Sequence, residues 1–197
     1  MNNKSLKAFR RFVESYPPIP DQDWNEISGC FRLRKVLKNE FILREGRICR
    51  HLYFLETGLL RYFTTRDGIE HTKFFTIAPY CFTSQVSFNN KKIAKENIQA
   101  IEDSSVWATT YEENNRLLKL NSWNLFARKI TQEVQFFTEE ILEELQSETA
   151  ENRYIKMLNT QGALLQRLPQ KILASYLGIA PQSLSRIRRK YAIRHGD

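Results

Sequence analysis

The sequence predicts an α+β chain: a β-rich N-terminal domain, a long central helix and a helical C-terminal end. Three observations carry that expectation. Between about residues 31 and 110, short runs of β-branched and aromatic residues alternate with turn dipeptides. From Trp123 to Leu145 the apolar residues recur at three- and four-residue steps. Over residues 170–190 two short helical patterns flank a glycine.

Composition sets the bounds. The chain has 197 residues, 42% hydrophobic and 26% charged, which is ordinary for a folded protein and excludes wholesale disorder. That length suits one large domain or two small ones. No apolar run approaches the ~18 residues of a membrane span. The start, MNNKSLKAFRRFVESYPP, is charged throughout, and no secretion signal is expected there. Cys30, Cys49 and Cys81 are odd in number and widely spaced, which argues against a disulfide framework or a zinc site and fits a reducing cytoplasm. The net charge is +8, and residues 163–197 hold +6 of it through Arg167, Lys171, Arg186, Arg188, Arg189, Lys190 and Arg194 against Asp197. A concentrated basic end suggests an anionic partner, most often nucleic acid, although a solvated basic face gives the same charge.

Residues 5–15 read as an amphipathic helix with Leu6, Phe9, Phe12 and Val13 on one face. Pro17, Pro18 and Pro20 end it, and Asp21 is placed to cap a second short helix holding Trp24 and Ile27. Strands are expected over residues 31–37, 41–43, 52–55, 59–64, 72–77, 97–101 and 106–109, with turns at Glu45-Gly46, Thr57-Gly58 and Asp67-Gly68. Many short strands at close spacing imply a β-sandwich, roll or barrel.

After Tyr111 the period becomes helical. Trp123, Phe126, Ile130, Val134, Phe137, Ile141 and Leu145 form one stripe, with Glu133, Glu139, Glu140, Glu143 and Glu144 off it. Such a stripe can pack on a second copy of itself, on its own β-domain, or on both. The register fails around Ser147-Glu148-Thr149, which marks a hinge, and a further helix is expected over residues 150–159 with Gly162 ending it.

The segment from Gln170 to Lys190 is the most specific signal. Ala174 is small where a second helix must cross closely, and Gly178 lies four residues on, where a tight turn needs freedom from Cβ strain. Leu173, Leu177, Ile179, Leu184 and Ile187 are apolar at the positions that close a small core. This is the helix-turn-helix pattern, with its second helix starting near Pro181. That helix exposes Gln182, Ser183, Ser185, Arg186, Arg188, Arg189 and Lys190 as candidate DNA contacts. Arg186 can fork onto guanine O6 and N7, and Gln182 can pair with adenine N7 and N6. Ser183 and Ser185 let the helix approach closely, and Arg188, Arg189 and Lys190 suit phosphates.

With a helix-turn-helix behind a long helix and a glycine-punctuated β-domain, the chain resembles the Crp/Fnr family of bacterial transcription regulators. The resemblance runs over about residues 20–190. It rests on Phe41-Ile-Leu-Arg-Glu-Gly-Arg and Leu52-Tyr-Phe-Leu-Glu-Thr-Gly-Leu-Leu60 in the β-domain, and on Leu168-Pro-Gln-Lys-Ile-Leu-Ala-Ser-Tyr-Leu-Gly and Ser185-Arg186 at the other end. It implies a β jelly-roll sensor domain over residues 1–118, a dimerisation helix over 119–147 and a winged-helix-like reader over 148–197. It also implies a cytoplasmic homodimer on double-stranded inverted-repeat DNA, with no membrane role, and with RNA polymerase and a small-molecule effector as further partners. Only seven residues follow Lys190, which leaves little room for a β-wing.

Two departures stand out. Cyclic-nucleotide-binding members begin a phosphate cassette with Gly-Glu and carry Arg-Ser/Thr-Ala downstream. Aligned without gaps on Ala100, those places hold Thr83-Ser84 and Ala94-Lys95-Glu96. The ribose-holding carboxylate and the phosphate-neutralising Arg are missing, so control by cyclic AMP is not expected, though Lys91, Lys92 and Lys95 can attract an anion. In the reading helix, Pro181 and Gln182 stand where some members have Arg and Glu, which implies a different operator. No metal or cofactor is expected. Three scattered thiols do not make an iron–sulfur site. Haem would rest on a lone His51 or His71, which in a strand-rich domain is usually a surface or packing residue, and His51, His71 and His195 contain no His-x-His pair for a cupin-type enzyme. An adaptor acting through protein contacts alone is the other alternative, and it leaves the helix-turn-helix unexplained.

Overall fold

The structure is a computed structural model that describes residues 6–195, with side chains as far as Tyr191. Arg194, His195 and Asp197 of the basic end therefore lie outside the described side chains. Helix α1 (Lys7–Glu14) buries Phe9 and Val13, one helical turn apart, and α2 (Asp21–Gly29) buries Trp24 and Ile27. Asp21 is not a cap. Pro20 holds that position, and the Asp21 carboxylate instead accepts a 2.6 Å bond from Arg10 Nη2.

Eight strands follow: β1 (Arg32–Val36), β2 (Phe41–Leu43), β3 (His51–Thr57), β4 (Leu59–Arg66), β5 (Ile69–Ile77), β6 (Tyr80–Phe82), β7 (Asn97–Ala100) and β8 (Ser104–Thr110). Each of the seven expected runs is a strand, and β6 is additional. They form two four-stranded sheets, ordered β1-β8-β3-β6 and β2-β7-β4-β5. This is the sandwich order of a jelly roll. β3 pairs antiparallel with β8 and β6, so that Phe54 lies between Trp107 and Cys81.

Those three side chains face a helical layer. Phe9 of α1 stacks on Phe54 at 4.6 Å and meets Phe31 at 4.7 Å and Trp24 at 5.5 Å. Because helices cover the outer face of this sheet, Tyr53, Phe54 and Leu55 are all buried and the alternation of a half-exposed strand is lost. A short helix α3 (Gln85–Asn90) interrupts the strands. After β8 the chain enters α4 (Tyr111–Leu117) through a capping box, in which Thr110 Oγ1 accepts from the Glu113 amide and the Glu113 carboxylate accepts from the Thr110 amide.

Helix α5 (Asn121–Ser147) carries the long stripe, and the structure divides it. Trp123 and Phe126 are fully buried in the core of the chain's own β-domain, with Ile130 packed against it. Further along, Phe136, Phe137, Leu142 and Leu145 are exposed, the last two at 55%. The amino-terminal part of the stripe thus serves the chain's own fold.

The remaining described elements are helices: α6 (Ala150–Thr160), α7 (Gly162–Arg167), α8 (Gln170–Leu177) and α9 (Pro181–His195). One expectation is corrected here. Gly162 does not end a helix; Gln161, at φ −136° and ψ 35°, makes the break and Gly162 opens α7. No strand occurs among the described residues after β8, so a wing is absent from them. The chain divides into two compact units, Met1–Tyr62 with Phe75–Phe136 and Phe63–Phe74 with Phe137–Asp197. The tip of the β4–β5 hairpin therefore belongs with the C-terminal helices.

Candidate nucleic-acid interface

The α8–α9 pair is built around a small core. Leu173, Ala174, Leu177 and Leu184 are buried, and Ile179 and Ile187 are half-buried at its margin. Gly178 ends α8 in the left-handed region at φ +72°, and the Ile179 amide donates to Ala174 O at 3.1 Å. That closure is a Schellman-type stop, for which glycine is the low-strain residue. Nothing lies within 4 Å of a Cβ built at Gly178, so backbone conformation alone asks for glycine here. Ala180 O accepts the first amides of α9, from Ser183 and Leu184, and Pro181 occupies a first-turn position where no N–H is needed.

Residues the sequence did not single out hold this pair in place. Arg153 of α6, 9% exposed, donates from Nη2 to Leu177 O at 2.6 Å, placing a cation on the carbonyl end of α8. Gln170, at the start of α8, donates from Nε2 to Ser185 Oγ at 2.6 Å and to Pro181 O at 3.3 Å. The apolar pattern marks the helices, but nothing local in the sequence marks these cross-links.

The seven expected contact residues are sorted by the helix. Gln182, Arg186 and Arg189 are exposed and recur at i, i+4 and i+7, so they share one outward stripe opposite Leu184. Ser183 is half-buried on its flank. The Ser185 hydroxyl already accepts a bond from Gln170, which leaves its proton and one lone pair to offer. Arg188 is exposed but lies off the stripe, toward the side that packs inward. Lys190 is exposed and pairs with Glu151 at 2.6 Å, so its charge is partly met within the chain. Three side chains thus share one exposed surface with groups able to meet base edges and phosphates, with three others around it and Lys190 partly engaged by Glu151.

In the β-domain, Ser84 Oγ donates to the Glu96 carboxylate at 2.6 Å, and Thr83 Oγ1 donates to His51 O at 2.9 Å. Ala94 is buried, Lys92 and Lys95 are exposed, and Lys91 lies 4.2 Å over the Tyr111 ring. An anion approaching residues 83–84 and 94–96 meets a carboxylate there. His51 is half-buried, and burial, reinforced by Arg34, lowers its pKa. His71 is exposed. No group of three or more His, Cys, Asp or Glu able to hold a metal occurs among the described residues. Cys30, Cys49 and Cys81 are all buried and unbridged, and burial pushes the Cys81 thiol pKa up.

Comparison with known proteins agrees with this architecture. Residues 33–121 match the family model of the cyclic nucleotide-binding domain. No curated protein matches by sequence search. Among solved structures the fold is similar to that of a chain assigned to the Crp/Fnr family of transcriptional regulators from Eubacterium rectale, at 16% identity, TM-score 0.73 and coverage of 91% of this chain and 88% of that one. FixK2 from Bradyrhizobium japonicum is similar at 16% identity and TM-score 0.70, over 83% and 85%. The c-di-GMP responsive global regulator CLP from Xanthomonas campestris is similar at 13% identity and TM-score 0.68, over 89% and 93%. Residues 33–121 thus match the model of the cyclic nucleotide-binding domain, and the chain as a whole shares its fold with these solved structures.

Proposed function

We propose that this chain is a DNA-binding transcription regulator of the Crp/Fnr type, which binds an inverted-repeat operator as a homodimer. The observation that carries the reading is the Gln182, Arg186 and Arg189 stripe, presented by a helix that a buried four-residue core and Gly178 hold against α8. Guanidinium and carboxamide groups at that spacing suit guanine and adenine edges in a major groove. The basic bias of residues 163–197 supports attraction to phosphate.

In this reading residues 1–118 form the sensor-like domain, 119–147 the dimerisation helix and 148–197 the reader. The exposed Phe136, Phe137, Leu142 and Leu145 support self-association through the second half of α5. Cyclic AMP is not the effector, a view supported by the Ser84–Glu96 bond at the place where the resemblance puts a phosphate site. A different small effector and RNA polymerase are the further partners, the location is cytoplasmic, and catalysis has no part in the activity. No helix among the described residues is long and apolar enough to cross a membrane.

The test is selection of bound duplexes from a random DNA pool by the purified full chain. The expected product is an inverted repeat with half-sites about 34–36 Å apart, one helical turn. Recovery of no enriched sequence contradicts the proposal.

A further inference from the structure

The β4–β5 hairpin tip and helix α8 lie in the same compact unit, and one side chain ties them. β5 is the outer strand of its sheet, so one side of it has no strand neighbour among the described residues. Ser175 Oγ accepts from the Thr72 amide at 2.9 Å and donates to Glu70 O at 2.7 Å, with Thr72 Oγ1 at 3.2 Å. One hydroxyl thus meets a donor and an acceptor two residues apart on a strand edge, as the backbone of a neighbouring strand does. Thr72 is buried and Ser175 half-buried, so the tie is partly shielded from water. Only a side chain that is both donor and acceptor, and short enough for a helix surface at this distance, can do it.

The position in α8 gives the contact its consequence. Ser175 points to the hairpin while its neighbours Leu173, Ala174 and Leu177 build the core that seats α9. Fixing α8 on the hairpin therefore fixes the stripe of Gln182, Arg186 and Arg189 relative to that hairpin. We infer that Ser175 is a positioning residue for DNA reading: it seats the α8–α9 pair on the edge of β5 and so sets where each reading helix stands. The inference rests on the regulator reading given above. A dimer whose readers are held rigidly accepts one half-site spacing, whereas loosened readers tolerate several.

The experiment compares wild type, Ser175→Ala and Ser175→Thr by two measurements. The first is hydrogen exchange at the Thr72 amide in the DNA-free protein. The second is affinity for the selected operator against a version with two base pairs inserted between its half-sites. Ser175→Ala should speed Thr72 exchange at least tenfold and reduce discrimination between the two operators at least threefold. Ser175→Thr, which keeps the hydroxyl, should restore both. Unchanged Thr72 exchange in Ser175→Ala overturns the tie. Faster exchange with unchanged spacing discrimination overturns the positioning role, leaving a merely structural contact. Absence of sequence-preferring DNA binding by wild type overturns the regulator reading and the positioning role together, and the exchange data then report on the tie separately.

Discussion

Arg153 Nη2 lies 2.6 Å from the main-chain oxygen of Leu177, the last residue of α8. The contact spans 24 residues and brings a largely buried cation to the negative end of the helix that supports α9. A charged hydrogen bond in such a place is worth about 1.5–3 kcal/mol, and removing it leaves the carbonyl without that donor.

Arg153→Met should therefore destabilise the chain by about 1–3 kcal/mol while keeping most of the buried stem. Denaturant unfolding checks this, with tyrosine and tryptophan signals followed together. A midpoint equal to wild type contradicts it.

Two glycines in the left-handed region should respond very differently to alanine. At Gly58, φ is +113° and an added Cβ would lie 2.1 Å from Ser104 Oγ and 2.9 Å from Ser104 Cα. At Gly178, φ is +72° and no atom lies within 4 Å. Gly178→Ala should cost about 1–2 kcal/mol, the conformational penalty alone. Gly58→Ala adds a backbone clash and should cost about 2–5 kcal/mol. Equal losses in thermal unfolding would show that Ser104 can move aside.

Much of this architecture is legible in the sequence, and the misses have physical causes. The seven expected strands are found because β-branched runs and glycine turns mark them. β6 is three residues long, directly after Pro79, and offers no period to detect. The capping box at Thr110 and Glu113 is readable as Thr-x-x-Glu and marks α4, a helix that periodicity alone misses. Gly162 suggests a stop because glycine is usual there, but the first turn of α7 also tolerates it. In the candidate site, Gln182, Arg186 and Arg189 follow from helical spacing. Ser175 bonds 103 residues back in the chain and Arg153 bonds 24 ahead, and such partners appear only once the elements are placed.

The exposed half of α5 should carry the dimer. Leu145, 55% exposed, is the cleaner site for a charge, because Phe137 also meets Phe74 of its own chain at 6.3 Å. Leu145→Glu and Phe137→Glu should each raise the dimer dissociation constant at least tenfold, about 1.4 kcal/mol, and weaken operator binding. Sedimentation measures this directly. Dimers that persist in both variants place the interface elsewhere.

Cyclic AMP should not bind. The Glu96 carboxylate is bonded to Ser84 at the place where the resemblance puts a phosphate site, and residues 94–96 contain no arginine. Calorimetry with millimolar nucleotide should give no saturable heat. A micromolar dissociation constant contradicts this and directs attention to Lys91, Lys92 and Lys95.

The most direct test of the central claim separates base reading from phosphate binding on α9. Arg186 stands in its second turn, and Arg189 lies one turn further along the same exposed stripe. Arg186→Ala should cost about 1–3 kcal/mol per half-site and relax preference at one base position. Arg189→Ala should weaken all sequences alike and flatten the salt dependence, by about one unit of slope for each phosphate that is no longer neutralised. The measurement is the affinity of both variants for the selected operator and its single-base variants at two salt concentrations. A uniform loss for Arg186→Ala, with base preference unchanged, contradicts the assignment of α9 as the helix that reads sequence through Arg186.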